Sequence, residues 1–448
     1  MPALDLFLHE DFVGIIEPDA RNHSRVTLAV DRGYSGSGIL LSEAFATLPG
    51  RRPPVDAVSN FLGGYVPEGN HREKMAAKRH IDAGDLFALL NEFGGSIAGA
   101  VTLRRPGEST PSRPQYEPLT DRALAAMLRQ ALKESDQGIP DDSRSTLPGY
   151  QPKVLVAEVD GQWSYPHGRA HSTWILKPQV PARPNRIYDE HYSHLLARHV
   201  GLSAYRSEIR KAGRTTYLAI QRFDRELVDG QVYLHHQEDL AQAMGLDWRD
   251  TDVKFQEPDW PTDPSRATAR RIGELLGSIP GGDATVAQWL RHLTFHVAIG
   301  NTDAHAKNVA LMHLPSGTEL AQIYDALPNL FQEGLVKFDL ALALDGVFDH
   351  RRMSVERIVA EATSWGVITA APAETIIGES LTALSGALDA VKPPKPISPG
   401  LGEQLRWNVQ RLLAGAEISE PKRRRPPTAR QPTPLSTVHR VSGLNVAG

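Results

Sequence analysis

The sequence predicts an α+β protein, and three observations carry that prediction. Short apolar alternations broken by Gly and Asn run from Leu6 to about Gly50; a second strand-like region begins near Leu147; helical apolar spacing dominates after residue 237. The chain has 448 residues, of which 41% are hydrophobic and 23% charged. Roughly two to four domains fit that length. The composition is that of a folded globular chain and excludes disordered, collagen-like and coiled-coil classes. Lys+Arg 49 against Asp+Glu 53 gives a net charge of −4, so no global charge advertises nucleic acid or an anionic membrane.

Taken in order, Phe12-Val-Gly-Ile-Ile and Val26-Thr-Leu-Ala-Val read as strands of a small β-rich N-terminal module, residues 1–105. From Val55 the period becomes helical, through Val58, Phe61, Leu62, Met75, Phe87 and Leu90, up to the break at Gly94-Gly95. The segment Pro106–Pro118 contains four prolines and reads as a linker. Thr120 can cap a helix carrying Leu124, Met127, Leu128 and Leu132 on one face. Val154–Val159 and Gln162–Tyr165 flank Asp160-Gly161, a dipeptide suited to the positive φ angles of a tight hairpin. The strand Ser172–Lys177 stops at Pro178, Tyr188–Val200 is a helix ending at Gly201, and Ala204–Arg210 and Thr215–Phe223 are strands. Helices are predicted at 237–245, 265–278, 284–299, 352–366, 371–389 and 400–414. Residues 119–225 and 226–415 then form two lobes, and 416–448 a disordered basic tail: 421–448 hold six cationic residues, five prolines and no acid.

The chain has no cysteine, which removes disulfides, thiolate nucleophiles and Cys-ligated metals. Asp5, Glu10 and Asp11 stand where an export signal needs cations and a long apolar run, and no apolar stretch approaches the roughly 18 residues of a membrane span. A cytoplasmic protein that does not enter the membrane is expected.

The segment richest in chemistry is Ile299-Gly-Asn-Thr-Asp-Ala-His-Ala-Lys-Asn308, directly after an apolar helix. Asp303 and Asn308 are five apart, the spacing of the kinase catalytic loop, where the Asp orients a hydroxyl and the Asn holds a metal ion. Asp325 follows Tyr324 and can supply a second metal-binding carboxylate. Phosphoryl transfer needs such a set because the transferring group is anionic and hard cations want oxygen ligands. Taken alone, a D-x-H-x-x-N loop is equally a helix cap, a turn residue and a structural histidine, and Asp303, His305 and Asp325 together would also suit a metallohydrolase. Lys177, at the end of a strand, is placed to anchor phosphates, and Glu190 in the following helix to pair with it. The same two residues also fit an exposed strand-end lysine and a first-turn acid favoured by the helix dipole. Thr146-Leu-Pro-Gly-Tyr-Gln-Pro-Lys153 precedes the hairpin and can fold over phosphates, although it matches no standard glycine-rich motif.

In combination these segments resemble a known family. Thr146–Lys153, Trp174-Ile-Leu-Lys177-Pro, Gln221-Arg-Phe-Asp-Arg225, His236-Gln-Glu-Asp-Leu-Ala-Gln-Ala-Met-Gly245, Asn301–Asn308 and Tyr324-Asp325 resemble, in order and spacing, the motifs of the HipA family of serine/threonine kinase toxins. Phe61-Leu-Gly-Gly-Tyr-Val-Pro-Glu-Gly69 and Asp85-Leu-Phe-Ala-Leu-Leu with Gly94–Gly99 resemble its N-terminal module, so the likeness covers about residues 4–415. It implies a two-lobed protein-kinase-like fold with a helical C-terminal lobe, ATP with Mg²⁺, and phosphorylation of a protein substrate. By that analogy Asp303 is the catalytic base, Asn308 and Asp325 hold Mg²⁺, and Lys177 contacts phosphates. Gln221 to Phe223 would form the adenine-binding connector, and Gly149, Gln151, Lys153, His305 and Lys307 would complete the nucleotide site. The family usually pairs with a DNA-binding HipB antitoxin, which contacts DNA on the toxin's behalf, and characterised toxins phosphorylate aminoacyl-tRNA synthetases. Three departures stand out: Ser145 and Thr146 occupy the place of the serine autophosphorylated in the family, Gln221 replaces a connector Glu, and Tyr150 is bulky. A catalytically feeble scaffold that binds an antitoxin and DNA, and a kinase of small molecules, are the alternatives.

Overall fold

The computed structural model describes residues 2–36, 38–108, 114–134, 147, 151–168, 170–229, 231–331 and 338–420. Ser145, Thr146, Gly149 and the basic tail from 421 lie outside them.

In the N-terminal module, Leu4, Leu6 and Leu8 alternate with outward residues along the strand Leu4–Leu8, so one face is wholly apolar. That strand sits inside a four-stranded antiparallel sheet, ordered Val26–Val30, Asp11–Pro18, Leu4–Leu8, Val101–Arg104. The helices Val55–Gly63 and Leu86–Phe93 cover its apolar face, burying Phe61, Leu62, Leu89 and Phe93 against Leu6 and Leu28. Each such side chain contributes about 1.5–3 kcal/mol by leaving water.

The second sheet has six strands, in the order Tyr116–Pro118, Gln162–Pro166, Val154–Val159, Trp174–Pro178, Thr215–Gln221, Ser207–Ala212. Its hairpin turns at Asp160 and Gly161, both with positive φ (51° and 76°), as a two-residue turn requires. Tyr116–Pro118, read from its prolines as linker, is instead the edge strand, paired with Gln162–Pro166. Alternation places the sheet's two faces in different environments. Leu176, Tyr217 and Ala219 pack on the helix Asp121–Glu134, whose first turn is capped by Thr120. Ile175, Leu218 and Ile220 face the other way, and Lys177 shares that side.

The C-terminal lobe is built on the helices Ala269–Ser278, Gly282–Ile299, Val355–Ser364, Ala370–Ala390 and Leu401–Leu413, around a core that includes Trp289, Leu293, Ile358, Ile377 and Leu405. The predicted helix 237–245 is corrected. His236–Asp239 is a strand paired with Ala310–Leu314, and Asp239 then caps the short helix Leu240–Ala243 through a reciprocal bond with Gln242. Further strands at Arg225–Val228, Gln231–Leu234, Gly317–Leu320, Asp339–Leu344 and Val347–Asp349 replace the nearly all-helical reading of this region. Residues 416–420, assigned by sequence to the tail, are held to the lobe: Ile418 is buried and its N–H donates to Met353 O at 2.9 Å.

The N-terminal module docks on the kinase-like body through close backbone approach. A Cβ on Gly63 would lie 2.2 Å from Trp248 Cγ, and one on Gly64 2.3 Å from Gln242 Cγ. Trp248 completes the module's core, and its indole N–H donates to Ser24 O at 3.2 Å.

Candidate active site

Between the two lobes lies a cleft of about 250 Å³. Of the residues singled out from sequence, Gln151, Lys153, Lys177, Gln221, Phe223, Asp303, His305, Lys307, Asn308 and Asp325 line it, and Glu190 stands behind Lys177.

The loop that carries Asp303 and Asn308 grows out of the helix Gly282–Ile299, which ends at Gly300 with φ 71°. Buried Asn301 then organises the chain. Its Oδ1 accepts from Asp303 N at 3.0 Å and from Asn329 Nδ2 at 3.0 Å. Asp303 O in turn accepts from His305 N at 2.9 Å and from Asn308 Nδ2 at 2.8 Å. The Asn308 amide is thereby oriented with Oδ1 as its remaining acceptor. Asp303 is 51% exposed, open to the cleft; enclosure by the walls, and then the Asp325 carboxylate, raise its pKa to about 6.

Across the cleft, Lys177 Nζ donates to Glu190 Oε1 and to Asp325 Oδ1, each at 2.6 Å. Strand alternation aims Lys177 at the cleft, and Glu190 lies on the helix Arg186–His199 that packs beneath it. Burial opposes ionisation of both partners, but their attraction outweighs it: Lys177 is held above the ordinary lysine range and Asp325 below the usual carboxylate range. Asp325 itself has φ 51°, at a sharp bend after Tyr324. Lys153 is buried, and that burial, followed by repulsion from Lys177, lowers its pKa to about 8. His305 is kept neutral by burial and then Lys254, its pKa lowered to about 3, and its ring meets Phe255 edge-on at 5.0 Å.

Other expected residues take different positions. Lys307 is committed to structure, lying 3.4 Å from Glu68 Oε1, 3.6 Å from Asp239 Oδ2 and 3.3 Å from Gly64 O. Gln221 ends its strand, exchanging bonds with Arg206. In the same motif, Arg222, Asp224 and Arg225 form a buried ionic cluster. Asp224 accepts from both arginines, from Gln237 Nε2 and from Gly99 N of the N-terminal module.

Among the cleft residues not assigned a role from sequence are Arg186, Lys254 and Glu68. Arg186 had a signal, since Arg186, Glu190 and His194 recur at every fourth position of one helix and line or back the cleft. Among the described residues its buried Nε has no hydrogen-bond partner, and its charge draws down the pKa values of Asp303 and Asp325. Lys254 and Glu68 meet only in three dimensions, 186 residues apart, at 2.7 Å.

Asp325 and Asn308 offer hard oxygen donors, and among the described residues no group of three or more His, Asp or Glu side chains forms a metal cage. That donor set fits Mg²⁺, which keeps several waters and takes one or two carboxylates plus substrate phosphates.

The HipA-like C-terminal domain matches residues 145–387, and the HipA N-terminal domain matches 4–104. The chain belongs to the HipA family of serine/threonine-protein kinases. "Putative kinase Y4mE" of Sinorhizobium fredii is 31% identical over 298 residues, 64% of this chain and 68% of that protein. The serine/threonine-protein kinase toxin HipA of Shewanella oneidensis is 25% identical over 300 residues, 65% of this chain and 67% of that one. A solved structure of HipA from Shewanella oneidensis MR-1, in complex with HipB and its operator DNA, superposes with a TM-score of 0.76 at 21% identity. It covers 92% of this chain and 96% of its own, so the kinase-like HipA fold extends through both modules. Among the described residues no helix is long and apolar enough to cross a membrane.

Proposed function

We propose that this protein transfers the γ-phosphoryl group of ATP to a serine or threonine hydroxyl of a protein substrate, as the toxin of a HipA/HipB-type pair in the cytoplasm. The observation that carries this reading is the convergence of Lys177, Asp303, Asn308 and Asp325 on one cleft, with Glu190 fixing Lys177 from behind. ATP would lie with its adenine toward Gln221–Phe223 and its phosphates toward Lys177 and Lys153. Asn308 and Asp325 would hold Mg²⁺, which neutralises phosphate oxygens when bound. Asp303 orients the attacking hydroxyl and accepts its proton as the new P–O bond forms and the bond to ADP breaks. A carboxylate with pKa raised to about 6 suits that work near neutral pH. Lys177, Lys153 and Arg186 bring positive charge to the side where the ADP oxygen leaves.

A HipB-like DNA-binding antitoxin is the partner this reading implies, by analogy with the complex of the Shewanella oneidensis protein. DNA would then be contacted through the antitoxin. An aminoacyl-tRNA synthetase is the substrate class the family resemblance suggests. The test is transfer from labelled ATP with Mg²⁺ to this protein or to host proteins in a lysate. Asp303→Asn should abolish label, a loss on the order of 10³-fold or more, while leaving thermal unfolding unchanged. Full turnover in that variant would remove Asp303 as base. Absence of label with wild type, despite ATP binding, would favour a binding scaffold.

A further inference from the structure

The N-terminal module reaches into the cleft with the buried carboxylate of Glu68. Glu68 Oε2 accepts from Lys254 Nζ at 2.7 Å, and Glu68 Oε1 lies 3.4 Å from Lys307 Nζ. Both lysines belong to the scaffold of the catalytic loop. The Lys254 carbonyl accepts the N–H of Ala306 at 3.2 Å, and its neighbour Phe255 stacks edge-on against His305. The Lys307 carbonyl accepts from Tyr324 Oη at 2.9 Å, the residue before Asp325, and Asn308 follows Lys307 directly.

Two lysines this deeply buried need an anion between them. Asp239 also approaches Lys307, at 3.6 Å, but burial pushes its pKa up despite that neighbour. Burial acts on Glu68 in the same sense, yet Lys307 and Lys254 outweigh it and bring its pKa to about 2. Glu68 is therefore the effective counter-ion of the pair.

We infer that Glu68 is a positioning residue for phosphoryl transfer: by clamping Lys254 and Lys307, the N-terminal module completes the catalytic loop of the kinase body. The inference rests on the cleft being a phosphoryl-transfer site. Without the clamp the two cations repel, and Asp303, Asn308 and Asp325 lose a common anchor. On the phosphate side, Lys177 stands on the six-stranded sheet and is held there by Glu190 and Asp325. Removal of the charge should therefore lower kcat and spare ATP affinity.

The experiment uses the full chain as wild type, Glu68→Gln and Glu68→Asp, and measures kcat, Kd for ATP and amide hydrogen exchange. In Glu68→Gln, kcat should fall on the order of 10- to 100-fold with Kd for ATP unchanged. Exchange at Ala306 and Asn308 should quicken while Leu6 and Leu28 in the module sheet stay protected. Glu68→Asp, which keeps the charge, should recover most of kcat. A wild-type kcat in Glu68→Gln would overturn the inference. So would a parallel loss of ATP affinity and of protection across the module sheet, which marks a merely structural role. If wild type transfers no phosphate, exchange decides: faster exchange at Ala306 and Asn308 upholds the clamp while the kinase reading falls, and unchanged exchange overturns the clamp.

Discussion

Asp224 and Asp325 are two carboxylates held below their ordinary pKa range by cations, and they do opposite work. Burial opposes ionisation of each, and Arg222 with Arg225, or Lys177, overrides it. The side chain of Asp224 is 3% exposed and accepts from five donors, four of them at Oδ2, so it is closed off from a ligand by burial and by its partners. That of Asp325 is 44% exposed, and among the described residues Lys177 alone donates to it. A displaced pKa marks both sites equally. What separates the candidate ligand Asp325 is the unspent acceptor capacity facing a cleft, while the sealed carboxylate joins two modules.

The largest effect that tests this contrast is on stability. Asp224→Asn leaves Arg222 and Arg225 buried without a full counter-charge and should cost about 3–5 kcal/mol, read from the denaturant midpoint. An unchanged midpoint would break the comparison. Asp325→Asn should instead lower phosphoryl transfer on the order of 10²- to 10³-fold, with stability within about 1 kcal/mol because Lys177 keeps Glu190. Strong unfolding in this variant would make the two carboxylates alike. The smallest effect concerns pH and sharpens the open side of the contrast. Lys153 titrates at about 8 in the free protein, and ATP phosphates favour its charged form, so binding takes up a proton above that pH. Calorimetric titration should show Kd for ATP rising with pH above about 8, approaching tenfold per unit, and a flat profile in Lys153→Arg. A flat wild-type profile would detach Lys153 from the phosphates.

Much of the site was legible because its chemistry is local. Asp160-Gly161 names its own turn, the strand period aims Lys177, and the helix after it brings Glu190 within reach. Asp303 and Asn308 are linked by a bond inside one loop. The strands of the C-terminal lobe were missed for a physical reason. Four of the five residues of Ala310–Leu314 and five of the six of Asp339–Leu344 are buried, so neither shows the alternation that distinguishes a strand. Gln237–Asp239 was absorbed into the predicted helix 237–245 because Asp239 and the residues after it carry a true helix start. The role of Lys307 was hidden because its partners Gly64 and Glu68 lie in another module, the first 243 residues away in sequence.

That separation also sets a timetable. The strands and helices of residues 4–104 contact one another and assemble as a unit, yet the docking contacts run forward to Gln237, Glu238 and Trp248, as in the bond from Ser42 to Glu238 across 196 residues. At about 5–20 residues per second of synthesis, the module waits roughly 7–30 seconds between its own completion and the arrival of those partners. The face that Gly63 and Gly64 present to Trp248 and Gln242 waits that interval for its partners, and the loop at 303–308 emerges later still.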